Sequence, residues 1–324
     1  MMMNDILSKI KNSNKLCITC HSSPDGDAAG SVLALAIGLK HLGKDVCVLS
    51  IDPISSTYKF LPYSELMNGN SDQVPRDADC VIVLDCGNFE RINANLKIEH
   101  KNYSLINIDH HISNEMYGDL NFVDTNAAAV GEIVYQMLEI LGVKINKDIA
   151  ECLYTSLLTD TGSFRFSNTT SVTHTIAGDL INCGVNVDEM YRIIYENKSY
   201  ERIKLYGALI SSMKLVHNNK ICIMKLTKNI VNNLNLCGNM DTSDVLPFGM
   251  QIDTVEVVIL IKEIDHGVKA SLRSKNKVDV RKIAKVFGGG GHTKASGLSL
   301  DKDIDEAEEI IVKTIENELL QWMA

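Results

Sequence analysis

His21-Ser-Ser-Pro-Asp25-Gly-Asp27-Ala-Ala-Gly30 is the stretch on which the reading of this chain turns. It follows Lys15-Leu-Cys-Ile-Thr-Cys20, which alternates and branches like a short buried strand. After it, Val32, Leu35, Leu39 and Leu42 recur at helical spacing, and Gly43 stands where a helix stops. One imidazole and two carboxylates are thereby placed on a strand-to-helix turn. In open α/β sheets the carboxyl edge of the strands is where sites are built. Pro24 and Gly26 read as setting the turn, and small Ala28, Ala29 and Gly30 as letting the helix start close to a bound group.

Two more runs downstream have the same build. Cys80-Val-Ile-Val-Leu-Asp85 ends in a carboxylate and runs into Cys86-Gly87, and Ser104-Leu-Ile-Asn-Ile-Asp109 runs into His110-His111. Apolar runs without alternation suit parallel strands covered on both faces. A further strand is expected over residues 45–50 and a weak helix over 58–67. Helical patterns cover 127–141, 147–158, 171–183 and 187–196, with Thr169 and Thr170 as caps for the third. A polar helical stretch from about 191 to 213 has no strand signal and reads as a linker. Beyond it, strands are expected at 221–226, 254–261 and 268–273, and helices near 229–236, 278–287 and 304–322. The fold class is therefore α/β: an N-terminal domain (1–190) with a mainly parallel sheet flanked by helices, a helical linker (191–212), and a smaller mixed α/β C-terminal domain (213–324).

Composition limits the function classes. The 324 residues carry a net charge of −9, which argues against coating long nucleic acid by phosphate neutralisation. Nine cysteines, an odd number without a disulfide-like framework, point to a reducing compartment. Cys17 and Cys20 form a CxxC within the strand pattern and read as structural. No apolar run approaches the roughly 18 residues of a membrane span, and Met1-Met-Met-Asn-Asp-Ile lacks signal-peptide character. A cytoplasmic protein with no membrane partner is expected. His41, His100, His174, His217 and His266 fit no motif and read as surface or packing residues.

The strand ends thus deliver His21, Asp25 and Asp27; Asp85; and Asp109, His110 and His111. Asp160, in Leu157-Leu-Thr-Asp160-Thr-Gly162, ends an apolar helix. Carboxylates converging in one cleft repel, and a bound cation resolves the repulsion. Mixed His and Asp donors suit manganese, iron or zinc better than calcium. The number of donors exceeds one tetrahedral site, so two metals are expected.

These residues, in this order, resemble the four motifs of the DHH phosphoesterase superfamily, to which manganese pyrophosphatases and RecJ-like exonucleases belong. Gly288-Gly-Gly-Gly-His292-Thr-Lys-Ala-Ser-Gly297 resembles the mark of the DHH-associated C-terminal domain. The likeness covers essentially the whole chain. Within the superfamily the chain resembles bacterial nanoRNases that also dephosphorylate 3′-phosphoadenosine-5′-phosphate (pAp).

That resemblance implies two divalent metal ions, manganese foremost. His21 and Asp25 would hold one, Asp27, His110 and Asp160 the other, and Asp85 would bridge both. His111 would face the scissile phosphate as a catalytic group, with Asp109 orienting its neighbours from behind. Arg273 in Ser271-Leu-Arg-Ser274, the loop Gly288, Gly289, Gly290, Gly291 and His292, and Arg165 in Gly162-Ser-Phe-Arg-Phe166 would bind substrate. The implied activity is hydrolysis of RNA of two to five nucleotides to nucleoside 5′-monophosphates, from the 5′ end, and removal of the 3′-phosphate of pAp to give AMP. A homodimer is compatible with this reading. Two alternatives stay open: a linear pApA or cyclic di-AMP phosphodiesterase, and a nucleotide-binding regulator without catalysis.

Overall fold

The computed structural model describes residues 3–97, 99, 101–234 and 242–323. The chain divides into two compact units, Met1–Asn197 and Lys198–Ala324. The first contains α1 (Met3–Asn12), β1 (Lys15–Thr19), α2 (Gly26–His41), β2 (Asp45–Val48), β3 (Cys80–Leu84), β4 (Ser104–Asp109), β5 (Leu120–Val123), α3 (Val130–Ile140), α4 (Lys147–Asp160), α5 (Ser171–Asn182) and α6 (Val187–Tyr195). Its five strands are all parallel, in the order β2-β1-β3-β4-β5. Strand order reverses between β1 and β3, and such a switch point opens a crevice at the carboxyl ends.

Alternation along the strands divides the interior in two. Leu16 and Ile18 of β1, Ile82 and Leu84 of β3, and Ile106 and Ile108 of β4 join the core formed with the helices. Cys17, Val81, Val83 and Leu105 face the other way, into a second core with Leu49, Ala78, Ile92, Ala94 and Tyr103. Among the described residues that second core draws on irregular segments between strands. Residues 58–67, expected as a weak helix, instead contain a 3₁₀ turn at Ser64–Leu66, and another, Ser56–Tyr58, ends at their first residue.

Helix boundaries follow local chemistry. Gly43, at φ +74°, closes α2: its N–H reaches Lys40 O (2.9 Å), while that of Lys44 reaches Leu39 O (3.1 Å). Thr170 caps α5, accepting from Thr173 N (3.2 Å). The left-handed residue of the turn before α2 is Ser23 (φ 56°), while Gly26 is already helical. The small residues at the start of α2 serve a neighbouring helix. A Cβ on Gly30 would lie 2.3 Å from Cys152 O, and one on Gly26 2.4 Å from Thr159 Oγ1, both on α4.

The second unit contains α7 (Tyr200–Ser211), β6 (Lys214–Val216), β7 (Ile221–Leu226), α8 (Lys228–Asn233), α9 (Leu246–Met250), β8 (Val257–Glu263), β9 (Val268–Ser274), α10 (Val280–Val286), β10 (Gly290–His292), β11 (Ala295–Leu300) and α11 (Ile304–Met323). The sheet order is β10-β11-β9-β8-β7-β6, antiparallel except for the parallel pair β7–β8. Ile283 of α10 and Ala307, Ile311 and Ile315 of α11 pack on one face. Leu205 and Leu209 of α7 and Leu246 of α9 pack on the other. The stretch 191–212, expected as a linker, is divided. Its start completes α6 of the first unit, and α7 is built into the core of the second. Residues 235–236 of the helix expected near 229–236 lie outside the described residues, as does His100.

Candidate metal centre and active site

The turn after β1 carries His21 and Asp25. Asp25 Oδ1 accepts from Ala28 N (3.1 Å) and caps α2. One residue into the helix, Asp27 is buried and hydrogen-bonded through both oxygens. Its Oδ1 accepts from Ser31 Oγ (3.0 Å), Ser156 Oγ (2.6 Å) and Gly131 N (3.2 Å), and its Oδ2 from Val130 N (2.8 Å). Ala129 has no side chain with which to cap α3, so Asp27 satisfies the first N–H groups of that helix from across the fold.

Asp85 lies at the tip of β3 with φ +54°, a conformation a carboxylate-bearing residue rarely adopts. Its Oδ2 is 3.5 Å from His21 Nε2, and its Oδ1 is 3.6 Å from His110 Nε2 and 3.5 Å from His111 Nδ1. These separations are too long for good hydrogen bonds. Oδ1 is buried and has no hydrogen-bond partner among the described residues.

Two histidines share one arrangement. Nδ1 of His21 bonds Ser22 O (2.8 Å) and Nδ1 of His110 bonds Ala127 O (3.1 Å), which leaves each Nε2 free as a donor to a metal. His21 Nε2 lies 3.7 Å from Asp25 Oδ1, and His110 Nε2 lies 3.8 Å from both Asp27 Oδ2 and Asp160 Oδ2. Metal–ligand bonds of about 2.0–2.2 Å hold two ligands of one ion ~3–4 Å apart. His111 differs: its Nδ1 bonds the Asp109 carboxylate at 2.8 Å, and its side chain is 47% exposed against 12% for His110.

Protonation states tell the same story. Burial, then the charge of Asp27, push the Asp85 carboxyl up to about 8. Burial and Asp27 likewise raise Asp160. Burial opposes a charge on His21, but Asp25 and Asp85 outweigh it and raise the imidazole to about 10. Asp25, paired with His21, is lowered, but the upward shifts of Asp85, Asp160 and His21 together mark uncompensated negative potential, which a cation complements. The residues gather as His21, Asp25 and Asp85; as Asp27, His110 and Asp160; and as Asp85, Asp109, His110 and His111. Mixed imidazole and carboxylate donors around an orphaned carboxylate oxygen fit divalent cations.

The sequence matches the DHH family, N-terminal domain, over residues 15–157, and the DHHA1 domain over residues 241–320. It is 32% identical over 304 residues to the bifunctional oligoribonuclease and PAP phosphatase NrnA of Thermus thermophilus, covering 93% of this chain and 89% of that protein. The chain belongs to the DHH family. The Bacillus subtilis protein of the same name is 29% identical to this DHH chain over 313 residues, 96% of each. An exopolyphosphatase-related protein from Bacteroides fragilis has a similar structure, with a TM-score of 0.88 at 27% identity, over 98% of this chain and 95% of that one.

The substrate-binding candidates of this DHH protein are divided between the two units. Arg165 follows three successive left-handed residues, Gly162, Ser163 and Phe164, and its Nε donates to Gly162 O (2.8 Å). Arg273 belongs to β9 of the second unit, with Nη1 donating to Leu272 O (3.0 Å). The four-glycine run is more ordered than a flexible loop. Gly290–His292 pair with Ala295–Gly297 in a hairpin, and a Cβ on Gly291 would come within 2.5 Å of Ala295 O. Sequence reasoning passed over Ser156 and Asn114. Ser156 had a signal, since it stands one helical turn before Asp160 on α4.

Proposed function

We propose that this DHH protein is a two-metal phosphoesterase that hydrolyses short RNA oligonucleotides to 5′-mononucleotides from the 5′ end and removes the 3′-phosphate of pAp. The observation that carries the reading is Asp85: a buried, backbone-strained carboxylate with an unpartnered oxygen, within 3.6 Å of imidazole nitrogens from both proposed ligand groups. His21 and Asp25 would hold one ion, Asp27, His110 and Asp160 the second, and Asp85 both. When bound, such ions polarise the phosphoryl oxygens and make water a nucleophile near neutral pH.

The chain's own residues account for the rest. Asp109 holds Nδ1 of His111 and pushes that imidazole up to about 9, so it is a charged donor at neutral pH. His111 Nε2 then protonates the departing ribose oxygen as its bond to phosphorus breaks, while water, losing a proton to solvent, supplies the new P–O bond. In pAp the departing oxygen is the 3′-oxygen of AMP. A dinucleotide cleaved at the same bond releases a 5′-nucleotide in the same way. Arg273 and the Gly288–His292 hairpin are assigned to the terminal phosphate, for which an arginine fork is suited. The names of the Thermus thermophilus and Bacillus subtilis relatives support this substrate pair.

The test is turnover with manganese on pAp, linear pApA, cyclic di-AMP and RNA of two to ten nucleotides. Activity on dinucleotides and pAp is expected, with the 5′-phosphorylated dinucleotide preferred. Turnover confined to cyclic di-AMP or pApA would replace the substrate assignment, and no metal-dependent turnover of any of them would overturn the enzyme reading.

A further inference from the structure

His111 is held through Asp109 by a side chain that no motif marks. Period two along β4 places Asn107 and Asp109 on one face, opposite Ile106 and Ile108, and both polar residues are fully buried. The β4–β5 register sets Asn107 opposite Asn121. Asn114 comes from the loop after His111, its backbone N–H bonded to His111 O (3.1 Å).

Backbone donors fix the direction of these amides. Gly118 N donates to Asn121 Oδ1 (2.9 Å), and Met116 N donates to Asn114 Oδ1 (2.8 Å). Asn107 Nδ2 donates to both of those oxygens, at 2.8 Å to Asn114 and 3.0 Å to Asn121. With its oxygen held by Met116 N and Asn107 Nδ2, Asn114 presents Nδ2 to Asp109 and donates to its Oδ2 at 2.6 Å. Asp109 Oδ1 accepts from His110 N (2.7 Å), His111 N (3.2 Å) and His111 Nδ1 (2.8 Å). Three donors converge on Oδ1 and Asn114 holds Oδ2, so the carboxylate cannot rotate without losing bonds.

We propose that Asn114 is a positioning residue for the reaction: by fixing Asp109 Oδ2 it aims Oδ1 at His111 Nδ1–H and so turns His111 Nε2 outward to the leaving oxygen. The proposal rests on His111 being the proton donor. Asn107 and Asn121 act through Asn114, as the frame that sets its amide. Asp109 is thereby occupied as an acceptor for its neighbours, which gives it a structural reason to stand behind the ligands.

The test combines a kinetic cycle with a spectroscopic one. Asn114→Ala is expected to lower kcat roughly 10–100-fold, the range for partners that orient a catalytic group, with KM changed less than about twofold and bound metal unchanged. In a His111→Ala background the same substitution should cost almost nothing further, because its effect passes through His111. Asn114→Asp keeps the size and the accepting oxygen but sets a second carboxylate against Asp109. It should lower kcat in the same way and serves if the alanine variant does not fold. In metal-free protein, the downfield proton of His111 Nδ1–H should be present in the wild type and lost or rapidly exchanging in both Asn114 variants. Retention of that resonance in both, or an equal kinetic loss with and without His111, would overturn the proposal. If His111→Ala leaves kcat unchanged, the proton-donor reading falls instead, and the resonance still decides whether Asn114 orients the ring.

Discussion

At the scale of single residues, what separates the proposed ligands from the proposed proton donor is the partner of Nδ1. His110 and His21 spend Nδ1 on backbone carbonyls, whereas His111 spends it on the Asp109 carboxylate. A ring anchored on a carbonyl through Nδ1 leaves Nε2 beside the carboxylates, where a cation can take the place of its proton, whereas a ring paired with a carboxylate through Nδ1 keeps its charge without one. His110→Ala should therefore lose bound metal. His111→Ala should keep it and lose rate by the roughly 10²–10⁴ typical of general acid–base catalysis. Metal analysis of the two purified variants beside their kcat values checks this, and the reverse pattern would exchange their roles. Asp85→Ala should lower both metal content and turnover, by several orders of magnitude in rate, because both proposed ligand groups meet at that side chain. Full metal loading with near-normal activity in that variant would rule out a bridging role. The cluster of proposed ligand residues was legible in the sequence because each sits at the tip of an apolar strand or helix, where a charge is conspicuous. Asn114 was not, since an asparagine in a polar loop carries no local signal. Its role exists only once β4 and β5 bring Asn107 and Asn121 beside it.

At the scale of elements, the runs that became β3 and β4 were legible because burial on both faces leaves a continuous apolar stretch, and β1 because it alternates and branches. β5 was missed: Leu120-Asn-Phe-Val123 is a half-buried edge strand, too short and too mixed to stand out. The β10–β11 hairpin was missed because glycine runs read as loops. Close packing between α2 and α4 was also hidden, and it makes a prediction at Gly30. An alanine in a helix gains about 1 kcal/mol over glycine. Here, however, its Cβ would lie 2.3 Å from the carbonyl of Cys152, and overpacking costs roughly 1–3 kcal/mol. Gly30→Ala should thus be net destabilising, and it should weaken metal binding by moving Ser156 off Asp27. A thermal melt that rises or stays level would show that α4 yields at no cost.

In the second unit the corresponding device is Glu256. Its carboxylate accepts from the backbone N–H groups of Asn276 (2.8 Å), Lys277 (2.7 Å) and Val278 (3.4 Å) and from Asn276 Nδ2 (3.0 Å). Partial burial works against the charge, but these donors outweigh it and hold the carboxyl below its usual range. A depressed value means that the stabilisation is present above the unfolded value of about 4.3 and disappears as pH falls through the lower folded value. Glu256→Gln should cost about 1 kcal/mol at pH 7, a charge-assisted network discounted for solvent screening. The gap between wild type and variant should close in acid. Denaturant unfolding at several pH values measures it, and a gap independent of pH would mean that the charge of Glu256 contributes nothing.

At the scale of the whole molecule, four hydrophobic cores are formed among the described residues, each within one unit. Two belong to Met1–Asn197 and two to Lys198–Ala324. All proposed metal ligands lie in the first unit. A ligand that binds only the folded state stabilises it by about 2.7 kcal/mol at a hundred times its dissociation constant. Metal should accordingly raise the unfolding temperature of the first unit and leave the second unmoved. Calorimetry of the full chain should then show two transitions in the presence of manganese, and chelation should lower only one. The substitutions above assign them: Gly30→Ala should shift the metal-sensitive transition, and Glu256→Gln the other. A single transition displaced equally by chelator and by Glu256→Gln would mean that the two units unfold as one body, and that the metal stabilises residues well beyond the sheet that would bind it.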